Sequence, residues 1–242
     1  MSAPVFEAVT SGVVDNAITK TIVSPAIIAA NFALISLHWE RDATIITNIG
    51  VTFDGNGCTH IGSRNAGGAP WWGISMWYYA NPGDQKNVVA SWTNIANGVV
   101  LACRNYTRVG RDPIRTFASA DGNGVAIAVN VASVVGELVV DAAVQNTDAA
   151  AAGAGQTERL ETHDTAVLGM GSEEAGATTV AMTWTGNHAR IWVTGGVSLK
   201  PILGATQAII VMSKIQDFYD QLKGGLLSPD ILQRRYREVW QI

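Results

Sequence analysis

Up to about residue 205 this chain reads as short segments, separated by turns, in which apolar residues recur at every second position. In FALISLHWE (32–40), Ala33, Ile35, Leu37 and Trp39 share one face. In VAIAVNVA (125–132), Val125, Ile127, Val129 and Val131 lie opposite Ala126, Ala128 and Asn130. ELVVDAAV (137–144) sets Leu138, Val140, Ala142 and Val144 against Glu137 and Asp141, and TTVAMTWT (178–185) sets Val180, Met182 and Trp184 against Ala181, Thr183 and Thr185. A period of two fits a pleated strand and not a helix, so these segments predict half-buried strands with one face inward and one outward. DGNG occurs at 54–57 and again at 121–124. Asp-Gly and Asn-Gly are hairpin signals, because the tightest hairpin turns need positive φ at both central residues. DAAAAGAGQT (148–157) reads as a small-residue loop at a sheet end. Many short strands, Gly-rich turns and no interleaved helices predict a mainly β chain, an antiparallel β-sandwich.

Near residue 205 the period changes. In QAIIVMSKIQDFYDQLKGG, Val211, Ile215, Phe218, Tyr219 and Leu222 recur at helical spacing, and Gly224 and Gly225 suit a C-cap. SPDILQRRYREVWQI follows, with Ser228 as N-cap, Pro229 in the first helical position and a stripe of Leu232, Tyr236, Val239 and Trp240. The expected organisation is a sandwich over 1–204 and an α-helical hairpin over 205–242. The tail has five Lys or Arg against four Asp or Glu, hence +1, and the remainder has eleven against sixteen, hence −5. Its stripe must be covered, either by its own sandwich or by another subunit as an anchor.

WWGISMWYY (71–79) places three tryptophans and two tyrosines in nine positions. Read with period two, Trp72, Ile74, Met76, Tyr78 and Ala80 form a continuously apolar face, the natural core side. Trp71, Trp77 and Tyr79 fall on the other face, among Gly73 and Ser75, as a candidate ligand or subunit-contact face.

With 48% hydrophobic and 15% charged residues the chain is not disordered by composition. A net charge of −4 argues against a nucleic-acid grip, which needs a basic face. The most apolar run, PAIIAANFALISL (25–37), is too short for the roughly 18–20 residues of a membrane span. The opening MSAPVFEAVTSGVV has no basic region and no long apolar run, so no signal peptide is expected and the chain reads as made in a cytoplasm. Cys58 and Cys103 are either small buried residues with free thiols or a single bridge. His38, His60, His163 and His188 form no metal-binding spacing, and no nucleophile elbow or phosphate loop is present. Gly169-Met170-Gly171-Ser172 fails the dinucleotide spacing, and Glu161, His163 and Asp164 in ETHDT read as a solvated polar turn. Asn105-Tyr106-Thr107 is a formal glycosylation sequon. No catalytic residue, metal or cofactor is expected.

Six stretches occur in an order that carries a resemblance: VTFDGNGCTHIG (51–62), MWYYANPGDQKNVVASW (76–92), ACRNYTRVGRDPI (102–114), GELVVDAAV (136–144), GAGQTER (153–159) and TTVAMTWTGNHARIWVTGGVSLKP (178–201). Over about Thr44 to Pro201 the chain resembles a family of largely uncharacterised phage and bacterial β-sandwich proteins. The resemblance implies a jelly-roll or concanavalin-like sandwich in a surface or virion protein, and it brings no catalytic residues. The helical tail is not part of that pattern. The expected function is therefore a non-enzymatic structural protein of a bacteriophage virion, a surface β-sandwich of capsid or tail, decoration or fibre-like, attached through its termini. Its expected partners are copies of itself and other virion proteins, with neither nucleic acid nor membrane. The alternative is a carbohydrate-binding, lectin-like module that recognises host surface glycans.

Overall fold

Three antiparallel sheets account for the described residues, which are 2–26, 29–68, 70–146, 149–164 and 166–202 of a computed structural model. Residues Ser2–Ile202 fall in one compact unit. A five-stranded sheet runs β1 (Val5–Val14), β9 (Gly98–Thr107), β3 (Phe32–Arg41), β7 (Trp71–Ala80) and β6 (Thr59–Ala66). A second sheet runs β10 (Val109–Ala132), β15 (Thr179–Pro201), β11 (Leu138–Gln145), β14 (Leu168–Ala175) and β13 (Thr157–His163), with β12 (Ala150–Ala152) also on β15. The third runs β2 (Ala17–Val23), β8 (Asn87–Ala96), β4 (Thr47–Phe53) and β5 (Asn56–Gly57). The expected helical hairpin, with its anchor residues Val211, Ile215, Phe218, Tyr219, Leu222, Leu232, Tyr236, Val239 and Trp240, lies outside the described residues.

The five-stranded sheet has a core on each face. Ala33, Ile35, Leu37 and Trp39 of β3, Trp77 of β7 and Leu101 of β9 cluster with Val51, Phe53, Val88 and Trp92 of the third sheet. Phe32, Leu34, Trp72, Ile74 and Met76 cluster with Val140, Val144, Val193 and Val197 of the second. This corrects the expectation of half-buried strands at two places. Every residue of 32–40 is buried, and so is every residue of 139–145, including Asp141. The alternation finds the two faces correctly. It cannot say that the more polar face, with Ser36, His38 and Glu40, is itself covered by a second sheet. At 125–132 and 178–185 the expected one-sided burial of Ile127, Val129, Val131, Val180, Met182 and Trp184 is what the chain adopts, although Val125 is exposed.

Of the two DGNG steps only the first makes a hairpin. Asp54 and Gly55 both have positive φ, between paired Phe53 and Asn56. The second lies inside β10, paired with residues 190–193 of β15. There Gly122 makes room for Trp192, whose ring would lie 2.6 Å from an added Cβ, and Gly124 has φ +144° beside a register shift. The expected loop 148–157 contains β12, paired with β15 at Ala150–Ala152.

Two buried polar networks tie strands together. Asp141 accepts hydrogen bonds from Ser172 N (2.6 Å), Ser172 Oγ (3.0 Å) and Trp184 Nε1 (2.7 Å). Gln156 extends this network, donating to Ser172 Oγ (2.6 Å) and accepting from Thr183 N (2.7 Å). Glu137, 3% exposed, accepts a fork from Arg115 and a 2.6 Å bond from Ser198 Oγ. Glu137, Asp141, Gln156, Thr183, Trp184 and Ser198 belong to GELVVDAAV, GAGQTER and the 178–201 stretch, so those stretches help hold the fold together, with Arg115 and Ser172 from outside them.

Candidate functional site

The aromatic stretch WWGISMWYY becomes β7, the fourth strand of the doubly covered sheet. Trp77 is 3% exposed and sits in the core facing the third sheet, and Trp71 and Tyr79 are partly buried against the same core. Tyr79 stacks on Phe53, with ring centroids 4.8 Å apart and planes 6° apart. Of the three, Trp77 is therefore interior, while Trp71 and Tyr79 each keep part of their surface.

One cleft does open beside them. Its volume is about 460 Å³, and it lies between β4 and the β6–β7 edge. Trp39, Ser75 and Trp77 form its buried floor, and Thr47, Asn48, His60, Ser63 and Asn65 its exposed polar walls, with Ile46 and Ile49 alongside. Trp71 and Tyr79 are not among the lining residues. His60 Nε2 and Ser63 Oγ are 2.8 Å apart, and Ser63 Oγ and Ser75 Oγ 2.7 Å. The His60 ring lies 5.3 Å from the Trp77 ring at 51°.

Local strand geometry builds this arrangement. His60 and Ser63 are three apart, a spacing that puts side chains on opposite faces of a regular strand. A register shift between His60 and Gly62 restores them to one side. Gly62 is needed there because an added Cβ would lie 2.3 Å from Phe117. Gly73, paired with Trp39 and with Asn65, is crossed by the Trp39 indole, which an added Cβ would meet at 2.2 Å. Trp39 Nε1 is buried and has no hydrogen-bond partner among the described residues.

Sequence reasoning missed this constellation. His60 is visible as one of four scattered histidines, but no motif links it to Ser63, Ser75 and Trp39. The local trace in HIGS is the glycine that leaves room for Phe117 beside the bulge. Chemically, the chain His60–Ser63–Ser75 is a relay whose donor direction follows the histidine tautomer. Among the described residues no carboxylate is hydrogen-bonded to His60, so the third member of a nucleophile–base–orienter set is not assembled around it.

The other candidates have structural explanations. Gly169 and Gly171 face the five-stranded sheet, where an added Cβ would lie 2.9 Å from Val100 and 2.6 Å from Arg104 Nη1, so the GMGS fragment is a packing feature. His38 is fully buried with Nδ1 2.9 Å from Ala143 O and Nε2 3.0 Å from Ser36 Oγ; burial pushes its pKa down to about 3. In ETHDT, Glu161 and His163 are exposed on β13 while Asp164 is buried, accepting from Val99 N (3.2 Å) and Ala166 N (2.8 Å). Glu40 is buried and close to Asp42 and Asp164, and burial first, then Asp42, raises its pKa to about 7. Asn105 of the sequon is fully buried. Cys58 and Cys103 are free thiols, and burial raises both to about 12. Among the described residues no group of three or more His, Cys, Asp or Glu could hold a metal ion.

No family model matches the chain, and no curated protein matches it.

Proposed function

We propose that the chain is a non-enzymatic structural protein of a bacteriophage particle. In this reading it is a jelly-roll, concanavalin-like sandwich of capsid or tail, held by its amphipathic segment 205–242 among copies of itself and other virion proteins. The observation that carries the reading is the five-stranded sheet covered on both faces and braced by buried polar networks, in a chain with only 15% charged residues. Such a body is built for rigidity rather than for motion around a site. The resemblance of the ordered stretches to phage and bacterial sandwich proteins suggests its setting. The tail stripe supplies an attachment, since each large apolar side chain buried against a partner contributes about 1.5–3 kcal/mol before ordering costs. The test is deletion of residues 205–242 in the producing phage. The truncated chain is expected to accumulate folded in the host cytoplasm and to be missing from purified particles; normal incorporation would refute the anchoring role.

The second reading, a carbohydrate-binding module for attachment to host glycans, is favoured by one observation. The cleft below β4 has aromatic floor residues and uncharged polar walls.

A further inference from the structure

We infer that the cleft between β4 and the β6–β7 edge binds an uncharged, hydroxyl-rich ring ligand, a neutral hexopyranoside. The inference rests on the carbohydrate reading for its class of ligand and assigns that reading to residues. The cleft has about 460 Å³, inside the roughly 300–1,000 Å³ of small-molecule sites. Among the described residues no Asp, Glu, Lys or Arg lines it, so a charged ligand would lose hydration with no counter-charge from them in return. Its polar groups are instead hydroxyls, amides and an imidazole, each able to accept or donate. The His60–Ser63–Ser75 chain can run in either direction, so it can answer a sugar hydroxyl that donates or one that accepts. Trp39 Nε1 supplies the fixed element. Its indole forms part of the cleft floor, and Nε1 is a buried donor with no partner among the described residues, so a ligand that draws the ring toward it satisfies an N–H that is costly to leave unpaired. Gly73 makes room for that indole, which an added Cβ would meet at 2.2 Å.

The test uses the full chain labelled with 15N in its tryptophan indoles, titrated separately with the methyl pyranosides of glucose, galactose, mannose and N-acetylglucosamine. At least one is expected to give a saturable shift of the Trp39 indole N–H, assigned through Trp39→Phe. His60→Ala and Asn65→Ala, both at exposed positions, are expected to raise Kd by about tenfold each. Glucuronic acid and glucose 6-phosphate are expected to bind more weakly than the neutral sugars; equal or tighter binding would overturn the neutral assignment. If a pyranoside binds with the same Kd in both variants, the cleft is not its site although the carbohydrate reading stands. If no pyranoside shifts any indole resonance, both fall. Should Trp39→Phe fail to fold, the Kd values of His60→Ala and Asn65→Ala decide alone.

Discussion

His38 and Glu40 sit two apart on β3, on the face covered by the second sheet, and they respond to pH in opposite directions. His38 is held neutral in the fold, down to about pH 3, whereas its ordinary value is 6.5. Below pH 6.5 the unfolded chain therefore takes up a proton that the folded chain refuses, and stability falls by about 1.4 kcal/mol per pH unit as the pH drops toward 3. Glu40 is raised from 4.5 to about 7, so its contribution is fully present below pH 4.5 and is lost as pH rises through 7. Urea unfolding across pH 3.5–8 should show His38→Gln with a flatter acid limb and Glu40→Gln with less loss of stability toward pH 8. Identical pH profiles for both variants and the parent would contradict these assignments. Gly73→Ala is the sharpest packing test, since its Cβ would lie 2.2 Å from the Trp39 ring. It should cost about 2–3 kcal/mol in thermal or urea unfolding, because a packed indole has to be displaced.

At the scale of single elements, period-two patterning made the strands and their faces legible, and it failed where a polar face is itself interior. Ser36, His38, Glu40 and Asp141 look like solvent-side residues in sequence, yet each is buried. Asp141 shows why: three donors converge on its carboxylate, and its carbonyl accepts from buried Arg104 Nη2 at 2.6 Å. Those partners come from 31 to 43 residues away, a separation that no local pattern encodes. Asp141→Ala should cost about 3–5 kcal/mol, measured by urea unfolding, by removing a buried carboxylate that acts on the Arg104 charge and orphaning Ser172 N and Trp184 Nε1. A loss under 1 kcal/mol, about the worth of one ordinary hydrogen bond, would contradict the network's role. The second DGNG misled for a related reason: its glycines serve a close approach by Trp192 and a bulge rather than a turn. The cleft was not legible either. His60, Ser63, Ser75 and Trp39 come from three strands, and a single bulge decides that two of them meet.

For the whole molecule, the decisive feature is the middle position of the five-stranded sheet. It takes Trp77 of the aromatic stretch into the interior. Since Ser2–Ile202 form a compact unit, a chain ending at Ile202 should unfold cooperatively by circular dichroism, with the far-ultraviolet signature of antiparallel sheet. Native-state hydrogen exchange on the full chain tests the layer order most directly. Amides of β3, β7 and β9 should exchange only through global unfolding, more slowly than those of the outlying strands β2 and β5. Exchange of β7, residues 71–80, as fast as that of β2 or β5 would contradict a covered middle layer and return Trp77 to the surface.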